Sequence, residues 1–271
     1  MHRTETAMPA ASEFLITKEY RRFEEFCTAC RRDRYIGLCY GPPGVGKTLS
    51  ARHYAHWHLV EEHDPFDYHH LIPQELAACR TLLYTPGVTN TPRSVRTDIA
   101  EGQMTLRGLV GRAGRMPEDT LEVEYHESCE LILVDEADRL KMPGLEMLRD
   151  LYDRQGFGLV LIGMPGLEKR LARYPQLYSR VDFAHAFRPL SQEEMYFILQ
   201  HHWAQLGREL EPTQFTDQEA VAAIIRITAG NFRLLNRLVA QIRRITQLNG
   251  LRTITREVVE AARECLVIGT T

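Results

Sequence analysis

The chain has 271 residues, 44% of them hydrophobic and 25% charged, with a formal net charge of −3, a balance that suits a globular protein with one large domain and a smaller one. No apolar run approaches the roughly 20 residues that cross a bilayer, and residues 1–12 carry no apolar stretch behind Arg3, so neither a membrane span nor a secretory or transit leader is expected and the cytoplasm is the predicted location. The small net charge excludes a uniformly basic coat, and the six cysteines are expected to be reduced thiols in a chain large enough to fold without disulfides.

Residues 1–13 are expected to form a disordered tail. From Phe14 to Arg34, Tyr20, Phe23, Phe26 and Cys27 recur three or four apart, which predicts a helix with Thr17 at its N-cap. Tyr35 to Tyr40 is a short apolar run ending at a glycine turn and predicts the first strand. Four similar runs follow: Thr81 to Tyr84, Leu131 to Val134, Leu159 to Ile162 and Phe183 to Phe187. Helical patterns separate them, so the fold class is α/β, with a parallel five-stranded sheet covered on both faces. After Pro189 the strands stop. Residues 14–189 are therefore assigned to the α/β core and 190–271 to a unit of about four helices. Within that unit Ser191 with Glu194, and Thr216 with Glu219, have capping-box spacing, and Gly230 and Gly250 mark helix stops.

The first strand runs into Gly41-Pro42-Pro43-Gly44-Val45-Gly46-Lys47-Thr48, with Leu49 next, and this fits the phosphate-loop pattern G-x-x-x-x-G-K-[ST] in its required setting between strand and helix. Glycines let successive main-chain N–H groups turn toward phosphate oxygens, and the helix that follows offers its positive end. Lys47 would neutralise the β- and γ-phosphates and Thr48 would give an oxygen to Mg²⁺. The bland alternative, a chance glycine-rich turn, does not require the strand and helix on either side.

A second signal is Leu131-Ile132-Leu133-Val134 running straight into Asp135-Glu136. A buried strand ending in acids puts charge at the carboxyl edge of the sheet, where such sheets bind ligands. Asp135 would hold Mg²⁺ through water, and Glu136 would orient or deprotonate the attacking water. Taken alone, acids after a strand are more often a solvated turn.

Together, the phosphate loop, the Asp-Glu pair after the third strand and the helical C-terminal unit resemble the AAA+ ATPases, from about Phe14 to the end. The resemblance implies a P-loop NTPase core with a C-terminal helical lid, and ATP and Mg²⁺ as cofactors. Ser179-Arg180 resembles the Ser-Arg pair of clamp-loader-like members, in which the arginine reaches a neighbouring subunit's γ-phosphate, with Arg170 and Arg173 as rival fingers. Gly230-Asn231-Phe232-Arg233 resembles the sensor-2 motif, whose arginine touches nucleotide from the lid. A guanidinium in either place would stabilise charge on the transferred phosphoryl group. Where members often carry a polar residue after the fourth strand, this chain has Gly163-Met164-Pro165.

Within AAA+, Asp135-Glu136-Ala137-Asp138-Arg139-Leu140-Lys141 and Leu161-Ile162-Gly163-Met164-Pro165 resemble the TniB, MuB and TnsC group of transposition regulators. That resemblance implies a homo-oligomer, ring or helical filament, which assembles on double-stranded DNA, recruits or activates a transposase and is reset by ATP hydrolysis. Arg93, Arg96, Arg107, Arg112 and Arg115 follow the second strand and are the DNA-phosphate candidates. Arg237, Arg243 and Arg244 form an alternative basic surface, and for either group a solvated helix face is the plain alternative. The competing function is a protein-remodelling or secretion-linked AAA+ ATPase that ignores DNA.

Cys27-Thr28-Ala29-Cys30 has zinc or redox spacing, but it sits in a helical pattern without a second ligand pair and is read as structural. His53, His56, His58 and His63 are read as a partly exposed helix face. Asp135-Glu136-Ala137-Asp138 also spells a helicase tetrad, although such helicases need two motor domains, for which this chain is too short.

Overall fold

A strand covered on both faces has no reason to alternate apolar with polar residues. Four segments accordingly form strands with nearly every residue buried: β1 (Ile36–Tyr40), β2 (Thr81–Tyr84), β3 (Leu131–Val134) and β4 (Gly158–Gly163). The computed structural model describes residues 14–114, 129–205, 210–211 and 213–266. The expected tail at residues 1–13, and Arg115, lie outside the described residues. With β5 (Val181–Ala186) the strands make one parallel sheet in the order β2-β3-β4-β1-β5.

The pleat sorts side chains between two cores. On one face Ile36, Leu38, Ile132, Val134, Leu159 and Leu161 pack with Ile99 and Leu106 of α4 (Pro92–Ala113) and Leu148 of α5 (Met142–Gln155). On the other, Cys39, Leu131, Leu133, Val160 and Ile162 pack with Phe23, Cys27 and Cys30 of α1 (Lys18–Asp33). Thr17 caps α1 as expected, its Oγ1 accepting from Tyr20 N at 3.1 Å. Cys27 and Cys30 are thus core residues. Burial pushes the Cys30 thiol up to about 12, far from a reactive thiolate.

Between β1 and β2 lie α2 (Lys47–Tyr54), α3 (Trp57–Glu62) and a 3-10 turn, Gln74–Ala78. A second 3-10 turn, Ala137–Arg139, follows β3. Short helices α6 (Leu167–Leu171) and α7 (Pro175–Tyr178) connect β4 to β5. The β5 strand begins two residues before the predicted Phe183 and ends at Ala186. It is the sheet edge beyond β1 and is largely exposed, so the apolar run that marks a doubly covered strand is missing.

From Leu190 onward the chain gathers around a separate apolar cluster built from α8 (Gln192–Gln205), α9 (Phe215–Thr228), α10 (Phe232–Leu248) and α11 (Arg256–Glu264). Ser191 and Glu194 form the expected reciprocal cap, with Ser191 N donating to Glu194 Oε2 at 2.9 Å and Glu194 N to Ser191 Oγ at 3.2 Å. Thr216 does not cap α9. That helix starts at Phe215 behind Gln214, which leaves Thr216 inside the first turn. Gly230 and Gly250 both have positive φ, at 78° and 61°, as helix stops require.

One buried carboxylate, Glu194, joins this unit to the core, and a second, Glu19, ties α1 to the segment after β5. Glu194 Oε1 accepts from Glu19 N at 2.9 Å, and Glu19 Oε1 accepts from Arg188 N at 3.0 Å. Removing the Glu194 carboxylate would leave the buried N–H of Glu19 unsatisfied, at a cost of about 1–3 kcal/mol.

Candidate functional site

In the strand order, β1 lies beside the β5 edge, the chain then crosses to β2 at the far edge, and β3 and β4 return toward β1. Ligands of open α/β sheets bind at the carboxyl ends of the strands beside such a reversal. Three chain turns meet there: the loop after β1, the acidic turn after β3 and Gly163-Met164 after β4. They wall a cavity of about 640 Å³, which the start of α10 closes from the opposite side.

The loop Gly41–Gly46 turns at Gly44 (φ 80°) and Gly46 (φ 113°), conformations that favour glycine. Gly44 is also needed for space, because a Cβ there would lie 2.5 Å from Asn231 Oδ1. Helix α2 begins at Lys47 with no side chain capping it, so its first N–H groups are not taken by a capping oxygen. Lys47 Nζ donates to the carbonyls of Gly41 at 2.6 Å and Pro42 at 2.8 Å. Burial pushes the Lys47 pKa down and Arg233 adds to this, while Asp135 and Asp138 pull it up. Lys47 and Thr48 line the cavity together with Asp135 and Glu136.

Asp135 is buried, with its Oδ1 accepting from Glu136 N at 2.9 Å and its own N donating to Tyr84 O at 2.8 Å. Glu136 is half exposed, has φ 50° and pairs with Arg139. The polar residue missing after β4 has a counterpart that sequence reading did not anticipate. Asp138 Oδ2 accepts from Met164 N at 2.7 Å, and a Cβ on Gly163 would fall 2.4 Å from that same oxygen. Gly163 therefore admits a carboxylate delivered by the neighbouring strand's turn.

The lid contact was only half foreseen. Arg233 lines the cavity, and so does Arg237 one turn further on. Backbone and side chain at the same spot dock the lid onto the phosphate loop, with Arg233 N donating to Gly44 O at 2.9 Å and Asn231 Nδ2 to Pro43 O at 2.9 Å. Asn231 Oδ1 also caps α10 by accepting from Leu234 N at 3.1 Å. Beside the loop, on the other side of Gly46 and Leu49, lies a second chamber of about 390 Å³. Phe14, Val45, Leu49, Phe187 and Val239 give it apolar walls, and His202, Gln205 and Asn236 add polar groups from the lid. Of these residues, sequence reading had singled out only the phosphate-loop members.

Arg180 lies away from the cavity of its own chain. Its Nε and Nη2 donate to the two carboxylate oxygens of Asp153 at 3.0 and 3.2 Å, and its Nη1 bonds Gln176 O. The rival Arg170 is built into the fold, holding the carbonyls of Asp138 at 2.6 Å and of Leu140. Arg173 is exposed and has no ion pair among the described residues.

Of the arginines proposed to meet DNA, the four that lie within the described residues do not share one environment. Arg93 and Arg96 are exposed on the first turns of α4, which begins at the cavity end of the sheet after a Thr91–Ser94 capping box. Arg107 lies half-buried further along. Arg112, about 28 Å from Arg93 at 1.5 Å per residue, is a structural residue. Its guanidinium donates to the carbonyls of Asp64 (3.0 Å), Pro65 (3.1 Å) and His70 (3.0 Å) and covers the Tyr68 ring at 4.8 Å.

Of the histidines, His53 stacks on Phe14 with ring centres 3.8 Å apart, and His63 Nδ1 bonds Leu59 O. Among the described residues no group of three His, Cys, Asp or Glu could hold a metal by itself, and no helix is long and apolar enough to cross a membrane.

A family model described as an AAA domain matches residues 30–171, more than half of the chain. A protein of Staphylococcus aureus called a potential ATP-binding protein is 45% identical over 276 residues, covering 97% of this chain and 99% of the relative. Among solved structures, the RuvB Holliday junction branch migration motor of Thermotoga maritima matches with a TM-score of 0.58 at 15% identity, over 93% of this chain and 70% of that one. The ORC1 protein of Aeropyrum pernix, in complex with DNA, matches with a TM-score of 0.58 at 21% identity, over 91% of this chain and 64% of that one. At such identities the likeness to these two is one of fold.

Proposed function

The chain belongs to the AAA domain family, and we propose that it binds and hydrolyses ATP, assembles on double-stranded DNA as a ring or helical filament, and in that form recruits or activates a transposase. The observation that carries the nucleotide part is the convergence on one cavity of uncapped helix amides, Lys47, the acids after β3 and Arg233 from the lid. A triphosphate there would meet main-chain donors, one lysine and the lid guanidinium, with Glu136 positioned to take a proton from water. The neighbouring apolar chamber would accept the flat base, edged by His202, Gln205 and Asn236. Thr48 and the buried Asp135 offer the one or two oxygen donors that Mg²⁺ takes when phosphates complete its shell. That ion would draw charge from the β- and γ-phosphate oxygens.

DNA contact is supported by Arg93 and Arg96, exposed at the start of α4, and by the DNA named with the ORC1 structure. The transposase is supported by the resemblance of residues 135–141 and 161–165 to transposition regulators. Contacts to phosphates release counterions, so binding should weaken steeply with salt. Filter retention of duplex DNA across a salt series, with ATP present, is expected to show a log–log slope that falls by about 1 for each of Arg93→Ala and Arg96→Ala. Retention that is absent at low salt would favour a protein-remodelling ATPase, and retention that ignores both substitutions would move the DNA contact to another surface, with Arg237, Arg243 and Arg244 as the rival.

A further inference from the structure

A third cavity, of about 260 Å³, lies across Tyr20 from the apolar chamber and takes no part in the nucleotide site. Tyr20 lines both spaces. Phe14 faces the apolar chamber and His53 the smaller cavity, and the two rings stack with centres 3.8 Å apart. Tyr20 meets His53 edge-on at 5.2 Å, so these three rings form the partition between the two.

The walls come from α1, the end of α2 and the residues ahead of β2. Arg31, in the last turn of α1, and Arg80, just before β2, bring two guanidiniums. Arg80 uses Nη1 to hold the carbonyls of Ala77 at 2.9 Å and Cys79 at 2.8 Å, while its Nε and Nη2 have no partner among the described residues. Arg31 Nε lies 3.6 Å from Glu130 Oε2, a loose pair between partly exposed side chains. Thr28 Oγ1 and Tyr54 Oη share one hydrogen bond at 3.2 Å, which leaves one of their two hydrogens to donate elsewhere. His53 and His56 add imidazoles. Burial pushes both of them down in pKa, and a neighbouring imidazole adds to this in each case, although Glu75 pulls His56 up. Glu24 is the one carboxylate that lines the cavity among the described residues, and it sits beside the Tyr20 hydroxyl, whose pKa burial and Glu24 both raise.

This set of groups selects its ligand. A divalent cation would meet two guanidiniums against one carboxylate. An apolar molecule would take water from the guanidiniums and hydroxyls and give nothing back. A phosphate group suits the walls, because its oxygens accept several hydrogen bonds at once and the planar fork of arginine matches them in pairs. The volume leaves room for a small organic group behind the phosphate.

We propose that this cavity is a second phosphate site, which takes orthophosphate or a small phosphomonoester between Arg31 and Arg80, and that its filling is felt at Phe14 through His53. The site goes beyond the ATPase reading and does not depend on it. A bound anion favours the charged form of His53. An imidazolium stacked on a phenyl ring is a cation over a π face, so Phe14 is held more firmly in the wall of the apolar chamber.

Titration calorimetry on the full chain, with orthophosphate and separately with glycerol 3-phosphate, tests the site. It is run on the parent with ADP and magnesium present, and on Lys47→Ala, which lacks the lysine of the phosphate loop. Saturable uptake of one anion per chain is expected in both settings. Uptake of orthophosphate alone would mark free phosphate as the ligand, and uptake of glycerol 3-phosphate would mark a phosphomonoester. Arg31→Ala and Arg80→Ala should each weaken it about 10- to 100-fold, as loss of hydrogen bonds from a charged group does. Should Arg80→Ala fold poorly, since Arg80 also holds two carbonyls, the partly exposed Arg31 decides the question by itself. The imidazole NMR signal that disappears in His53→Gln should titrate at a higher pH when the anion is bound. No uptake of either anion, uptake that ignores Arg31→Ala, or uptake that both ADP and Lys47→Ala abolish would overturn the site. A His53 signal that ignores the bound anion would overturn its link to Phe14. Failure of ADP to bind the parent would count against the ATPase reading alone, because the Lys47→Ala titration still decides the second site.

Discussion

Glu136→Gln is expected to lower phosphate release by about 10²- to 10⁴-fold, the range for removing a positioned general base, while ATP is still retained. Glutamine keeps the length and planar end of the side chain but cannot take a proton from water. The phosphate-binding parts, Lys47, the α2 amides and Arg233, do not depend on that carboxylate. Asp135 stays in place, since its buried Oδ1 is held by the main-chain N–H of residue 136 whatever the side chain there. Phosphate release measured beside equilibrium binding of a fluorescent ATP analogue separates the two effects. Release at the same background level from parent and variant would identify a nucleotide-gated binding module in place of an ATPase.

Arg180→Ala carries the second large effect, a fall of about 10³-fold or more in turnover if this guanidinium completes a neighbour's site, as arginine fingers do. Arg180 is remote from its own cavity and paired with Asp153 near the chain surface. An exposed pair of this kind is worth only about 0–1 kcal/mol, so exchanging it for a neighbour's phosphate costs little. Turnover per chain should then rise with protein concentration, because each site needs a second copy. Mixing the Arg180→Ala and Lys47→Ala proteins should recover part of the activity, since the first brings intact phosphate loops and the second intact fingers. No recovery under conditions where the chains assemble would remove Arg180 from this role and leave the exposed Arg173 as the rival.

What could be read in the sequence was local. β2 and β3 coincide with their predicted apolar runs because both faces of each strand are buried, so composition alone betrays them. β5 was displaced because an exposed edge strand has no such signature. The phosphate loop and the Asp135-Glu136 pair are contiguous motifs and converge on one cavity. The contacts between distant segments were not legible. Asn231 reaches Pro43 across 188 positions, and Gly44, the second loop glycine, meets the lid both through the Arg233 N–H on its carbonyl and through the space Asn231 occupies where a Cβ would stand. The apolar chamber draws Phe14 from ahead of α1, Leu49 from α2 and Val239 from α10, residues that are ordinary until folding assembles them. Arg112 shows the opposite error. In the sequence it is one more cation of a basic region, and the fold spends it on three carbonyls.

The central claim is that main-chain amides at the start of α2, with Lys47, hold the phosphates of ATP. Titration calorimetry with ATP and magnesium tests it most directly, on the parent and on Lys47→Ala. Saturable uptake of ATP is expected from the parent, and its loss or a severe weakening from the variant. Absence of heat from the folded parent, or equal affinity without the lysine, would contradict it.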